Sequence, residues 1–137
     1  MALYLVKEYD LICLEDLSLS EMKKRFGKSV SDLSFAEFVF KLKYLADKYD
    51  KKIVKISRWY PSSKNCSECG NKNVDLGMYD QEWICPNCGK LHDRNLNASI
   101  NILLEGCRIV GTSTIKTATQ IPCCKGKNSY SLRITRL

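Results

Sequence analysis

Four of the eight cysteines form two pairs with metal-binding spacing. The pairs lie in CSECG and CPNCG, with 15 residues between them, and their cysteines are Cys66, Cys69, Cys85 and Cys88. Two residues between cysteines let a tight turn direct both thiolates at one cation, and the glycine after each pair permits a positive φ. The pattern predicts one closed four-cysteine zinc site. Such a site is structural, because it leaves no coordination position open for a substrate.

A disulfide framework is the alternative interpretation of the cysteines. It is disfavoured because the N-terminus lacks the apolar core of a secretion signal and reducing compartments disfavour disulfides. No stretch approaches the roughly 18 apolar residues of a membrane helix, so we expect a cytoplasmic protein without a membrane partner. The other four cysteines are expected to be free thiols: Cys13, Cys107, Cys123 and Cys124.

Two carboxylates occupy positions where a predicted element ends or begins. Glu15 ends the apolar segment LICLE, and α/β folds place ligand sites at that edge of the sheet. The alternative for Glu15 is a solvent-facing acid that opens a loop. Asp93 opens the last predicted helix, where an N-cap is the simpler interpretation. The single histidine, His92, is expected beside the zinc site but not as a ligand, because four cysteines already complete it.

Hydrophobic periodicity predicts the elements that position these residues. Ser34 and Glu37 form an S-x-x-E capping box, and Gly106 is the expected C-cap of the last helix. The order predicts an α/β layer with a zinc insertion. The predicted elements are an amphipathic piece at 3–9, a strand at 10–15, a helix at 35–50, a strand at 51–60, a hairpin within 61–90 that leads from 78–83 into the second cysteine pair, and a helix at 93–105.

Aromatic residues lie on either side of the first cysteine pair, and they allow two interpretations. Trp59 and Trp83 are expected in the core of the sheet and of the ribbon. The alternative is that these side chains and Tyr60 stack on the bases of a nucleic-acid strand.

The predicted buried face of the last helix contains Leu96, Ile100, Leu103 and Leu104.

The charge is concentrated toward the C-terminus. The chain has 22 basic and 15 acidic residues, a net charge of +7, and its residues from 106 to 137 include six basic groups and no acid. A positive balance favours a polyanionic partner. We predict a basic flexible tail that contacts nucleic acid; the alternative is a tail that is merely solvated.

Four segments occur in a characteristic order: ICLEDLS, RWYPSSKNCSECG, WICPNCGKLHDR and NLNASINIL. Together they resemble the C-terminal half of the OrfB/TnpB family, insertion-sequence-encoded, RNA-guided nucleases related to type V CRISPR effectors. The resemblance implies an α/β fold, a partial RuvC-like (ribonuclease H-like) domain with an inserted four-cysteine zinc ribbon. The implied parts are a partial RuvC-like segment at 1–60, the zinc ribbon at 61–91, the last RuvC-like helix at 92–106 and the basic flexible tail at 107–137.

The resemblance also implies a nuclease site in which three acids hold two Mg²⁺ ions. Glu15 falls on the middle acid of the family. Asn95 falls on the position of the last acid, so that acid is substituted, and Asp93 is a candidate replacement two residues earlier. The strands that carry the first acid precede the part of the family that this sequence resembles.

The resemblance therefore leads us to expect that the chain alone does not cut DNA. Mg²⁺ is expected only in a complete nuclease, whose partners are DNA, a guide RNA and a complementing N-terminal chain. Two alternatives stay open. One is a non-catalytic zinc-ribbon module that binds DNA or RNA, and the other is a mobile-element remnant.

Overall fold

A computed structural model describes residues 1–16 and 32–111 of the chain. The predicted tail, Cys123 and Cys124 lie outside the described residues. Among the described residues the predicted order of strand, helix, strand, ribbon and helix is confirmed. The elements are α1 (Ala2–Glu8), β1 (Leu11–Glu15), α2 (Asp32–Lys48), β2 (Lys52–Ile56), β3 (Glu82–Ile84), β4 (Leu91–Asp93) and α3 (Arg94–Val110).

Strands β1 and β2 form a parallel pair, in register from Leu11 opposite Lys52 to Glu15 opposite Ile56. A parallel pair needs a crossover connection, and the segment that contains α2 provides it. Because side chains alternate across a strand, one face of the pair presents Ile12, Leu14 and Ile53 to the first two helices. The buried residues on that side are Leu5, Val6, Tyr9, Leu42 and Ala46.

The opposite face of the strand pair packs against α3. Cys13 and Val54 contact a buried cluster formed by Leu11 of β1 and by Leu103 and Cys107 of α3. Both described faces of the strand pair are therefore covered by helices, as expected for a parallel α/β arrangement. Cys13 is half-buried in β1, and burial raises the pKa of its thiol to about 12.

Several predicted boundaries differ from the observed ones. Helix α2 begins at Asp32, so Ser34 lies inside its first turn and the predicted capping box is wrong. Strand β2 ends at Ile56 instead of residue 60, because the chain turns there and the Tyr60 amide donates to the Ser57 carbonyl over 3.0 Å.

Helix α3 runs past its predicted end. Gly106 lies inside the helix and is buried, and Gly111 provides the C-cap with φ 79°. The prediction of Gly106 as the cap is wrong, because this glycine is required for close packing against β1 and not for a left-handed turn. Leu103 is buried as predicted, whereas Leu96 is 37% exposed. No helix within the described ranges is both long and apolar enough to cross a membrane.

The ribbon has a two-stranded antiparallel sheet, in which Trp83 of β3 pairs with His92 of β4. The predicted hairpin therefore lies further along the chain than the segment 78–83. It encloses the second cysteine pair, and residues from 78 to 81 form the loop before β3. The turn is made by the CPNCG segment itself, so the strands emerge on either side of the cysteines.

Candidate functional site

The four cysteines of the two pairs come together in one cluster. Their sulfur atoms all lie within 4.8 Å of one another. The Cys66 and Cys88 sulfurs are 3.6 Å apart, as are those of Cys69 and Cys85. A tetrahedral ion with metal–sulfur bonds of about 2.3 Å needs sulfurs about 3.8 Å apart. The cluster therefore fits one tetrahedrally coordinated metal ion, as the sequence predicts.

Each cysteine pair is shaped by a tight turn that ends in glycine. The amide of Gly70 donates to the Cys66 carbonyl over 2.8 Å, and the amide of Gly89 donates to the Cys85 carbonyl over 2.9 Å. Both glycines have positive φ, 75° and 71°. This geometry is the one that the glycine after each pair predicts.

The two cysteines of the first pair differ in environment. Burial raises the pKa of the Cys66 thiol to about 12, whereas a hydrogen bond from the Asn87 side chain, followed by one from the Asn71 backbone, lowers the pKa of Cys69 to about 6. A metal is bound by thiolates and not by thiols. Metal binding at neutral pH must therefore release a proton from Cys66.

His92 lies behind the cluster, as predicted. Its Nε2 atom is 3.1 Å from the Cys66 sulfur, and its ring centroid is 4.8 Å from that of Trp83. The side chain is 6% exposed, and burial lowers the pKa of the imidazole. A neutral imidazole has one N–H to donate, so His92 can direct it at the Cys66 sulfur.

The two tryptophans have opposite environments. Trp83 is buried at 5% exposure among Leu76, Cys66 and Cys85, which confirms its predicted place in the ribbon core. Trp59 is 84% exposed, so the prediction that it belongs to a core is wrong. It lies in the turn that follows β2, three residues after Ile56, which is the last residue of the strand and is buried.

Two buried asparagines join the first cysteine turn to α3, and the sequence analysis missed them. The side-chain amides of Asn97 and Asn101 each donate to the Asn65 carbonyl over 2.7 Å, and Asn101 also donates to the Ser62 carbonyl over 2.7 Å. The side-chain oxygen of Asn97, Oδ1, accepts from the backbone amide of Ser67 over 2.9 Å. One sequence pattern could have indicated them. The two asparagines are four positions apart in α3, near Leu103 and Leu104, on a part of the helix where apolar side chains are expected.

Glu15 ends β1 at the carboxyl edge of the strand pair, where the sequence places it. It alternates with Cys13 and so belongs to the α3 side of the sheet, and burial raises the pKa of its carboxyl. The next residue, Asp16, pairs with Lys55 at 3.0 Å and with Arg58 at 3.2 Å. Its amide donates to the Ile56 carbonyl over 3.0 Å, which extends the contact between the strand ends.

Asp93 and Asn95 belong to the junction between the ribbon and α3. Asp93 ends β4 and caps α3, because its Oδ1 accepts from the Leu96 amide over 2.8 Å. The N-cap interpretation is thereby confirmed. Asn95 is exposed in the first turn of α3. Among residues 1–16 and 32–111, the four cysteines are the one group of three or more metal-ligating side chains that come together.

A family model described as Cas12f1-like, TNB domain, matches residues 35–102. The chain is similar to a Streptomyces pristinaespiralis protein named as an RNA-guided DNA endonuclease, with 38% identity over 104 residues, 74% of this chain and 26% of the relative. It is also similar to a TnpB-like protein of Acanthamoeba polyphaga mimivirus, with 33% identity over 110 residues, 74% of this chain and 21% of the relative.

A Mycobacterium tuberculosis protein, also named as an RNA-guided DNA endonuclease, is 32% identical over 106 residues, 72% of this chain and 23% of the relative. The matched part thus spans about a quarter of the length of each relative. The range matched by the family model includes both cysteine pairs. The chain belongs to the TnpB/OrfB family.

Proposed function

We propose that this chain contributes part of a RuvC-like core and its zinc ribbon to a TnpB-like RNA-guided DNA endonuclease. The observation that carries the proposal is Glu15 at the carboxyl edge of a parallel strand pair that is covered by helices on both faces, within a chain of this family. In α/β sheets, this edge is where ligand sites form. Residues 1–60 and 92–106 take the RuvC-like role, and residues 61–91 form the ribbon.

Zinc is the ion proposed for the cysteine cluster. Four thiolates in tetrahedral arrangement favour zinc among the common divalent cations, and a closed set of ligands contributes folding energy instead of catalysis. The residues that would hold it are Cys66, Cys69, Cys85 and Cys88. The zinc ribbon then serves as a rigid support for the start of α3.

The described residues do not by themselves fit a site for two Mg²⁺ ions. Such a site requires several carboxylates, because hard divalent cations need oxygen ligands and charge neutralisation. Glu15 supplies one carboxylate, whereas the amide of Asn95 supplies no charge and an oxygen of Asp93 already caps α3. We therefore propose that these 137 residues alone do not cleave DNA.

The missing acid is proposed to arrive on an additional strand. Within the described part of the chain, β1 has β2 as its one neighbour in the sheet, so its other edge is open to a further strand. That strand would come from a complementing chain or from sequence that precedes these residues. Guide RNA and target DNA are the proposed partners of the completed assembly.

A chimera tests this proposal. The matched segment of the Streptomyces pristinaespiralis relative is replaced by the corresponding residues of this chain, and guide-dependent, Mg²⁺-dependent cleavage of plasmid DNA is measured beside the unmodified relative. We expect weak or no cleavage with Asn95 and a clear increase for Asn95→Asp. Adding Glu15→Gln to the Asn95→Asp chimera should abolish cleavage while DNA binding is retained, because a metal ligand is lost.

Two results would contradict the proposal. Cleavage that survives Glu15→Gln would remove Glu15 from the nuclease site. If Asp93→Asn but not Asn95→Asp changes cleavage, the last acid belongs at Asp93 and not at position 95. The thermal stability of each chimera must be measured alongside, because Asp93→Asn also alters the cap of α3.

A second candidate function is a non-catalytic nucleic-acid-binding module. Two observations favour it: an amide at position 95 and the exposed aromatic ring of Trp59. Such a module would bind DNA with a steep salt dependence, because cations that contact phosphates release counterions. If the Asn95→Asp chimera binds DNA with that salt dependence but never cleaves it, the module is the better description.

A further inference from the structure

We infer that Trp59 is a stacking platform for an unpaired base of a DNA strand held at the carboxyl edge of β1 and β2. The inference deepens the proposed function and rests on it. It concerns one exposed aromatic residue and the charged groups beside it, and it assigns that residue a role in positioning the strand near Glu15.

Within residues 1–16 and 32–111, the packing of the fold does not explain the exposure of Trp59. Tryptophan carries a large apolar surface that proteins usually cover, yet this ring is 84% exposed while Trp83 is 5% exposed. The backbone around it is held in place, since the Trp59 amide donates to the Ser57 hydroxyl over 3.3 Å and the Tyr60 amide closes the turn. Because the backbone of the turn is held by hydrogen bonds and the ring is exposed, the ring can stack on a planar group with little loss of conformational entropy in the protein.

The turn that carries Trp59 leaves the sheet at the same edge as Glu15. Glu15 lies opposite Ile56 in the parallel register, and Trp59 follows Ile56 by three residues. Consecutive Cα atoms are about 3.8 Å apart, so the Trp59 Cα lies within about 11 Å of that of Ile56. Adding the spacing of about 4.8 Å between strands brings Trp59 within about 16 Å of Glu15, a span of about five stacked nucleotides.

The charges beside Trp59 favour a strand with phosphates over an apolar partner. Lys55 and Arg58 share the single carboxylate of Asp16, so these three side chains sum to one positive charge, which Glu15 at the same edge offsets unless a metal ion neutralises its carboxylate. Both cations keep about a third or more of their side chains exposed, 44% and 35%. Single-strand binding sites combine aromatic rings for bases with cations for the backbone. The combination at Trp59 matches that chemistry.

DNA is the strand to which the inference commits, because Glu15 is the proposed acid of a DNA-cleaving site. The bases of a duplex are already stacked and paired, so they cannot cover the ring of Trp59. A single strand offers every base for stacking, whatever its sequence. The expected preference is therefore for single-stranded DNA over a duplex of the same length.

The two tryptophans make the test direct. Intrinsic fluorescence of the zinc-loaded full chain is recorded during titration with a single-stranded oligothymidylate of about 12 nucleotides, within the range of known site sizes. Anisotropy of a labelled copy of the oligonucleotide reports binding independently. Iodide first identifies the exposed emitter, which should be Trp59. We expect DNA to quench that emission and to protect it from iodide, with the buried Trp83 unchanged.

Substitutions of Trp59 measure how much stacking contributes to the affinity for single-stranded DNA. Stacking on an aromatic ring is worth about 5- to 150-fold in affinity, so Trp59→Leu should weaken binding about tenfold or more, and Trp59→Phe should stay within about threefold. Tyr79→Leu is the matched control, because Tyr79 is a 91% exposed aromatic residue of the ribbon loop, and it should change affinity by less than about twofold. Trp59 and Tyr79 are both at the surface, so these variants should keep the fold.

The outcomes separate this inference from the proposed function. Binding by anisotropy with unchanged Trp59 emission, or equal affinities for wild type and Trp59→Leu, overturns the stacking role and leaves the nuclease proposal in place. Quenching by single-stranded RNA but not by DNA also overturns the assignment. If the wild-type chain binds neither strand at low salt, the stacking role is wrong, and the nuclease proposal is then judged by the chimera alone.

Discussion

Gly106 of α3 lies directly against Cys13 of β1. A Cβ atom built on Gly106 would be 2.2 Å from the Cys13 sulfur and 3.1 Å from its Cβ. The contact with the sulfur is too short to exist without movement, because real contacts of a Cβ are about 3 Å or longer, and the contact with the Cys13 Cβ is tight. The helix therefore approaches the strand more closely than any residue with a side chain allows at this point.

This contact predicts that Gly106→Ala destabilises the protein. In an exposed helix interior the change would stabilise by about 1 kcal/mol, but here overpacking should cost about 1–3 kcal/mol of the free energy of unfolding. Urea unfolding measures the effect. Cys13→Ala removes the sulfur and should recover part of the loss in the double variant, which a double-mutant cycle would detect. Additive effects of the two changes would contradict the contact.

The contact between His92 and Cys66 predicts weaker metal binding when its N–H is lost. His92→Phe keeps an aromatic ring against Trp83 but has no donor, and loss of such an outer hydrogen bond typically costs about 10- to 100-fold in metal affinity. Competition with a chelator measures the affinity for zinc. The absorption of the Co²⁺-loaded protein should keep its four-thiolate character, because the ligands are unchanged. An unaltered affinity, or a changed ligand set, would contradict the assignment of His92.

The buried asparagines predict a loss of stability that depends on position. Asn97→Ala leaves the Ser67 amide without its partner, which should cost about 1–3 kcal/mol of the free energy of unfolding. Asn101→Ala should cost less, since Asn97 still donates to the Asn65 carbonyl that both residues share. Asn95→Ala is the matched control on the exposed surface of the same helix, and its effect should stay within about 0.5 kcal/mol. Equal losses at positions 95 and 97 would be inconsistent with this hydrogen-bond arrangement.

The ion pair at the end of α3 predicts a pH dependence. Arg108 donates to both carboxylate oxygens of Glu105, over 2.6 and 2.8 Å, and holds the pKa of that carboxyl below its ordinary value of 4.5. A lowered pKa in the folded state stabilises the fold above pH 4.5, and this contribution is lost as the pH falls through the folded-state pKa.

Arg108→Gln should therefore raise the pKa of Glu105 in a carbon-13 NMR titration. It should lower the free energy of unfolding only slightly at neutral pH, since Arg108 is 73% exposed and solvent screens such pairs. The difference between wild type and variant should vanish in acid, where both proteins lose metal alike. Lys41→Gln, which breaks the exposed pair with Glu37, should leave the titration of Glu105 unchanged.

Patterns carried by neighbouring residues could be predicted from the sequence. The cysteine spacing indicates the metal cluster, and apolar periodicity indicates β1, α2 and most of α3, because these signals are local. The alternation that ends at Glu15 also places this acid at the edge of the sheet. In each case the local structure depends on residues only a few positions away in the sequence.

The errors lie where a contact joins distant parts of the chain. Gly106 has the sequence pattern of a cap, and only its approach to Cys13 explains a glycine in the helix interior. Asn97 and Asn101 would be taken for surface residues, because their partners lie 30 or more positions away in the first cysteine turn. Hydrophobicity alone places Trp59 in a core, and nothing local indicates that β2 stops at Ile56.

The side-chain amides of Asn97 and Asn101 join α3 to the first cysteine turn, so the helix and the ribbon should move as one unit. These hydrogen bonds span the junction at Asp93, so a displacement of the ribbon should be passed to the helix. Further along, the same helix packs closely against β1, where Gly106 lies beside Cys13. Displacement of the ribbon should therefore also displace position 95, which lies in the first turn of α3.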